Sequence, residues 1–197
     1  MISLALAVFF LIATPGPGVL SLAGIGAAFG FRRAMPYLVG LLIGNTVVMI
    51  FVASGLAALV LANPVARTVL LAMSLGYLIY LAMRIAFAGS RIAIIHAENC
   101  PGLLAGFLLQ PINPKAYAVN AVFITGFPIY PQVYTIEIAI KIAVVTAVWL
   151  PLHLVWAWIG ATINRLDPPP HVQRAVNIFM AISMLLVVGI ASFTVAQ

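Results

Sequence analysis

Charge is scarce in this chain. Its 197 residues include nine Lys or Arg and three Asp or Glu, 6% in all. A soluble domain carries about a quarter charged residues and under half apolar ones. Here 65% are hydrophobic, too many for the few polar side chains to cover in water. The bilayer is the solvent that fits. Cysteine is scarcer still: the single Cys100 excludes an intramolecular disulfide and any CxxC redox or zinc site. Paired buried aspartates, HExxH, GxSxG and a phosphate-cradling loop are also missing, so catalysis has no recognisable home. The chain reads as a non-enzyme that needs no cofactor or metal. Its net charge of +6 comes from basic residues scattered mainly at the ends of apolar runs. That is how loops orient a membrane protein, and it is not a nucleic-acid footprint.

What is present is apolar sequence in long, unalternating runs rich in Ala, Leu, Ile and Gly. Backbone groups in lipid must pair internally, which leaves helices or a closed barrel. A barrel would alternate over roughly ten residues with a polar inner face, so the expectation is an all-α integral membrane protein. Segments at roughly 2–28, 36–61, 65–88, 103–127, 134–163 and 171–195 each approach or exceed the ~20 residues that span hydrocarbon. No connection between them is long enough for a soluble domain, so residues 1–197 read as a single transmembrane domain. The first run has no positive residue before it, whereas Arg32 and Arg33 follow it. This is the reverse of a secretory signal, so the run is expected to be retained. Arg32 and Arg33, Arg84 and Arg91, and Arg165 and Arg174 mark the odd connections. These should face the cytoplasm and leave both termini outside. Tyr130 and Tyr134 would then join the outer aromatic belt.

Segment 1 is interrupted by Thr14-Pro15-Gly16-Pro17-Gly18, and segment 4 at a similar depth by Gln110-Pro111-Ile112-Asn113-Pro114-Lys115. Each opens a three-span half, about 1–88 and about 103–197. Because three is odd, the second half runs opposite to the first. Paired broken helices in an inverted repeat point to a transport site. Pro15 and Pro17 remove backbone donors, and Gly16 and Gly18 relax the chain. Carbonyls freed there must face protein or a water-filled cavity, although a simple packing kink also fits. Lys115 stands some twelve residues into an apolar helix, where an ammonium costs at least ~2.5–3.5 kcal/mol unless paired or hydrated. It is expected to contact a substrate carboxylate or the freed carbonyls, with Asn113 and Gln110 beside it.

Asn45 lies inside segment 2, where an asparagine serves as interhelical glue or as a polar group on a pathway. The pairs Gly26/Gly30, Gly40/Gly44 and Gly102/Gly106 have the small-xxx-small spacing of close helix packing. Such faces permit a homodimer without requiring one. His153 is the only deeply placed group that titrates near neutral pH, so proton coupling and a hydrogen-bonded structural role are both open. Trp149, Trp156 and Trp158 fit a cavity wall or lipid contact equally well. Glu137 and Lys141, spaced i,i+4 near the outer interface, read as a self-neutralised pair.

Taken together, Thr14-Pro15-Gly16-Pro17, the Gly-rich Arg-Arg turn, Gly40-x-x-x-Gly44, Gly76-Tyr77-Leu78-Ile79-Tyr80-Leu81, Gly106-Phe107-Leu108 through Gln110, and Asn113-Pro114-Lys115-Ala116 resemble the lysine-exporter family of LysE/RhtB type over nearly the whole length. The resemblance implies six helices and efflux of amino acids or related small polar metabolites across a bacterial inner membrane, driven by the proton gradient. It also implies a substrate path between the two breaks. Many members of that family carry an aspartate where this chain has Asn45, and an asparagine cannot titrate. The other reading is a non-transporting membrane subunit whose breaks only shape packing.

Overall fold

The computed structural model describes residues 1–13, 16–87 and 99–196, and these form nine helices and no strand. In chain order they are α1 (Ile2–Ala13), α2 (Pro17–Phe29), α3 (Phe31–Ala53), the short α4 (Leu56–Ala62), α5 (Pro64–Ala86), α6 (Leu103–Ile112), α7 (Pro114–Thr125), α8 (Tyr134–Arg165) and α9 (Pro170–Ala196).

Proline sets several of the starts. Pro17, Pro64 and Pro114 open α2, α5 and α7 in their first turns, where the missing N–H would have had no partner anyway. Asn63 and Asn113 precede two of them as N-caps. The Asn63 Oδ1 accepts from the amides of Val65 at 2.9 Å and Ala66 at 3.2 Å, and the Asn113 Oδ1 accepts from that of Lys115 at 3.1 Å. Each cap satisfies a donor that the first helical turn leaves open.

Two boundaries differ from the sequence reading. Segment 2 begins at Phe31 rather than near residue 36, so Arg32 and Arg33 belong to the first turn of α3. Gly30 alone makes the connection, at a φ of 85° that an L side chain tolerates poorly. At its far end α3 stops at Ala53, and Gly55, in the left-handed region at φ 79°, turns the chain into α4.

Among the described residues three helices are long and apolar enough to cross a bilayer, namely Phe31–Ala53, Pro64–Ala86 and Tyr134–Ile163. The bent pair α1–α2 meets the same criterion as one unit. The 10 residues of α6 reach only about 15 Å at 1.5 Å per residue, so α6 does not cross alone. Ile50, Val69, Met73, Val155 and Phe179 all stand at least half exposed on the outer faces. That pattern suits lipid, because water-soluble monomers rarely show contiguous apolar faces of this kind.

The tightest packing joins α2 to α8 and α3 to α6, and absent side chains make both seams. A Cβ at Gly40 would overlap the Leu103 carbonyl oxygen, and one at Gly106 would overlap that of Tyr37. Likewise a Cβ at Gly160 would overlap the Ala23 carbonyl oxygen, while one at Gly26 would stand 2.6 Å from that of Ala157. Here the backbones themselves touch, which is what small residues allow where no hydrophobic effect drives association. The packing role expected of six glycines therefore holds for Gly26, Gly40, Gly44 and Gly106 but needs correction at two. Gly30 serves the turn, and a Cβ at Gly102 would meet nothing within 4 Å. Gly102 is the N-cap residue of α6.

Candidate functional site

The first break separates α1 from α2, whose axes differ by 57°. Thr14 and Pro15 lie outside the described residues. Gly16 is extended at φ −150° and precedes Pro17, and the Leu20 amide closes the first turn on the Gly16 carbonyl at 2.9 Å. One turn further on, the Ser21 hydroxyl donates to the Gly18 carbonyl at 3.0 Å and accepts from the Tyr37 hydroxyl at 2.8 Å. Both side chains are fully buried, so this chain of hydrogen bonds ties the start of α2 to α3.

The second break separates α6 from α7 at Asn113. Proline costs a helix the bond to the carbonyl four residues back, and this break is repaired from within. Tyr117 donates its hydroxyl to the Pro111 carbonyl at 2.7 Å, and Asn113 caps α7. Asn113, expected as a pathway group, thus spends its side-chain oxygen on the helix start. Pro114 supplies the first residue of α7.

The two breaks face each other across a cavity of about 50 Å³. At ~10–15 Å³ per water position, that is room for a few waters. Gly16, Pro17, Asn45, Gln110, Asn113, Lys115 and His153 all line it. Pro114 does not. The Lys115 side chain lies along Gly16, where an added Cβ would stand 2.8 Å from Nζ. A Cβ at Gly18 would stand 3.7 Å from Gln110 Nε2 and 3.9 Å from His153 Nε2. Glycine at 16 therefore leaves the space that the Lys115 end occupies, whereas a Cβ at 18 would make only ordinary contact with Gln110 and His153.

His153 is buried and stacked on Trp149, with ring centroids 3.5 Å apart and planes 16° from parallel. Its Nδ1 lies 2.9 Å from the Trp149 carbonyl. A carbonyl only accepts, so Nδ1 carries the proton of that bond and the other ring nitrogen, Nε2, is turned toward α2. Of the three tryptophans, Trp149 lines the cavity, Trp158 is exposed and Trp156 is half-buried.

Asn120 also lines the cavity, and the sequence reading did not name it. Its Nδ2 donates to Asn45 Oδ1 at 3.0 Å, and both residues are buried. This bond bridges α3 and α7. The signal was the same as at Asn45, a lone amide in an apolar run, but the partner lies 75 residues away.

Elsewhere the structure moves the Glu137–Lys141 pair indoors. Nζ and Oε1 stand 2.6 Å apart, as i,i+4 spacing predicts, yet both residues are buried. Lys141 also donates to the Ile124 carbonyl at the end of α7, and Glu137 accepts from the Ile129 amide at 3.4 Å. The pair therefore pins the α7 end and the following turn onto α8.

Residues 9–194 match the family described as LysE type translocator. The chain belongs to that family. It is 27% identical over 174 residues to proteins named cysteine/O-acetylserine efflux protein from Salmonella choleraesuis and Salmonella typhimurium, with 87% of each chain covered. The protein of the same name from Escherichia coli K12 is 25% identical over 173 residues, again with 87% of each covered. No solved structure matches the chain. As a LysE type translocator it is a multi-pass membrane transporter and not an enzyme. Its polar cavity is buried among apolar helices, where irregular backbone is tolerated only against protein or water.

Proposed function

We propose that the protein is a secondary transporter that exports amino acids or closely related small polar metabolites from the bacterial cytoplasm, coupled to the proton gradient. The observation that carries this reading is the meeting of two broken helices, one from each half of the sequence, on one polar cavity. Half-helix ends at membrane depth give transporters their substrate and ion sites. In this reading Gly16, Pro17, Asn45, Gln110, Asn113 and Lys115 line the pathway, Thr14 and Pro15 continue the first break outside the described residues, Pro114 shapes the second break without lining the cavity, and His153 is the candidate proton carrier. The relatives named for efflux of cysteine and O-acetylserine make small amino acids the first substrates to try.

The architecture in this reading is six spans in two inverted halves, α1–α2, α3 and α5 against α6–α7, α8 and α9. Packing supports it. A two-fold axis in the membrane plane exchanges the first span with the fourth and the second with the fifth. It therefore maps the contact between spans one and five onto that between spans four and two. Those are the two most extensive interfaces in the protein.

Export is the direct test. Cells overexpressing the protein are loaded with dipeptides, and the metabolites they release are profiled with and without a proton-gradient collapse. The Lys115→Ala variant should insert and fold yet lose about tenfold or more of the export rate, the worth of a hydrogen bond to a charged group. Export at the vector-control level by wild type removes the transporter reading; normal export by the variant removes Lys115 from the mechanism.

Orientation has its own test in Cys100, which faces the connection expected in the cytoplasm. Burial pushes its thiol up to about 11, and Arg33 and Arg84 only partly oppose this. The thiolate is the reactive form, so it is scarce at neutral pH and grows as pH rises toward that value. A membrane-impermeant maleimide should label Cys100 slowly at neutral pH and faster at higher pH. It should do so in inverted vesicles and not in spheroplasts; the opposite sidedness reverses the topology.

A further inference from the structure

The two half-helices that follow the breaks are held in different ways. α2 meets α8 backbone on backbone at Gly26 and Gly160. α7 contains no glycine and packs chiefly on α3 through side chains. Asn120 bonds to Asn45, and the Tyr117 and Phe51 rings meet edge-on with centroids 6.3 Å apart. Ala116 and Tyr117 sit with Val48 and Ala57 in a small apolar cluster, apart from the main core that Phe123 and Ile124 join further along α7. At its start α7 follows Asn113, whose extended backbone at φ −86° and ψ 108° separates it from α6. At its far end the Ile124 carbonyl faces Pro128 four residues on, which has no N–H to give it. Lys141 donates to that carbonyl instead, and Glu137 accepts from the Ile129 amide in the turn beyond at 3.4 Å. The Tyr134 hydroxyl donates to the Ala53 carbonyl, so the ends of α3 and α7 both fasten to the first turns of α8.

We propose that Glu137 and Lys141 are a latch that holds the end of α7 on α8 and closes the cavity toward the membrane face opposite Cys100, and that this latch releases when the cavity opens to that face. This rests on the exporter reading, in which α6 and α7 carry the chain across the membrane and a path between the breaks opens to each face in turn. Hinges are element-terminal residues that absorb backbone rotation, and Asn113 stands at such a place. The chemistry of the pair suits release. Glu137 and Lys141 stand four residues apart on one helix, 2.6 Å from each other. They therefore stay partners in both states, and letting go of α7 strands neither charge. Only hydrogen bonds to backbone break. Water entering the opened path replaces them and rehydrates both ions, which offsets part of the desolvation the pair suffers when dry. An apolar contact in the same place would resist that water.

The test reads access to the cavity from each face of the full-length protein. Cys100→Ser removes the native thiol, and Val119→Cys, on α7, places one in the cavity wall. A membrane-impermeant methanethiosulfonate is applied to spheroplasts and to inverted vesicles, and the labelling rate at position 119 is measured. Labelling of Cys100 in the otherwise unaltered protein fixes which preparation exposes which face. Neutralising the pair with Glu137→Gln and Lys141→Met together should raise the rate from the face where α7 ends by about tenfold to a hundredfold, the range for a lost hydrogen bond to a charged group. The rate from the Cys100 face should stay level or fall, and export from dipeptide-loaded cells should slow because the path no longer recloses. Tyr134→Phe, at an exposed position, should shift labelling the same way by a few-fold, and it decides alone if the double variant yields no monodisperse protein. An unchanged rate from the α7 face overturns the latch. Equal acceleration from both faces, which is general loosening, overturns it too. In either case export by the wild type leaves the exporter reading standing, whereas a wild type that exports nothing removes that reading whatever the labelling shows.

Discussion

Two regions of this bundle are built on opposite rules. The seams between α2 and α8 and between α3 and α6 are made of glycine against backbone, with Gly26, Gly40, Gly106 and Gly160 letting carbonyls approach where any Cβ would collide. The space between the breaks instead presents polar side chains fixed by neighbours: Asn113 by a helix cap, Asn120 by Asn45 and His153 by a carbonyl one turn back. In lipid the burial of apolar area no longer distinguishes one helix partner from another. Shape alone specifies the seams, and hydrogen bonds specify the cavity. Substitutions in the seams should accordingly strike folding, and those in the cavity should strike transport.

The largest effect expected is in a seam. Gly106→Ala forces α6 away from Tyr37 of α3, an overpacking that costs about 1–3 kcal/mol and more where both sides are backbone. Fluorescence-detected size-exclusion after a temperature ramp should show a clear fall in Tm and in monodisperse yield. Gly76→Ala is the control. It lies in the interior of α5, and its added Cβ meets nothing within 4 Å, so it should be neutral or stabilise by up to ~1 kcal/mol through helix propensity. Equal behaviour of the two variants would end the distinction between seam and surface glycine.

How much of this could be read from sequence follows the same division. The helices were legible because apolar runs of the right length admit few alternatives, and the breaks because proline and glycine act locally. Small-xxx-small spacing found Gly26, Gly40, Gly44 and Gly106 but also picked Gly30 and Gly102. A glycine's use depends on whether another helix lies over it, which spacing along one helix does not encode. Glu137 and Lys141 were legible as a pair through i,i+4 geometry. Their burial was not, because it depends on the end of α7 folding over them. Asn113 could have been assigned from Asn-Pro alone, since Asn63-Pro64 repeats the same cap and first residue.

The buried ion pair comes next in expected effect, and it crosses the boundary between the two rules by packing through charge. Removing one partner leaves the other buried and unbalanced, whereas removing both with neutral side chains of similar size does not. Lys141→Met and Glu137→Gln should each lower Tm by several degrees, and the double variant should lose less than the sum. The Lys141 change should be the worse of the two, because it also strips the last turn of α7 of its donor at the Ile124 carbonyl. Additive losses would mean that the pair is no more than two independent contacts.

The smallest effect belongs to the Asn45–Asn120 bridge, and it tests whether cavity polarity serves stability at all. Hydrogen bonds between helices in membranes couple by about 0.6 kcal/mol on average and ~1.7 at most. The unfolded chain in lipid finds other partners, which keeps the value low. A double-mutant cycle on Asn45→Ala and Asn120→Ala, read by reversible unfolding in mixed micelles, should therefore return a coupling of this small size, while either single variant reduces transport out of proportion to its loss of Tm. The disproportion is the informative part. A residue retained for packing loses stability and activity together, as the seam glycines should. One retained because it lines a solute path loses activity first. A coupling well above ~1.7 kcal/mol with no separate loss of transport would make the bridge a structural seam of another kind and move the path away from α3.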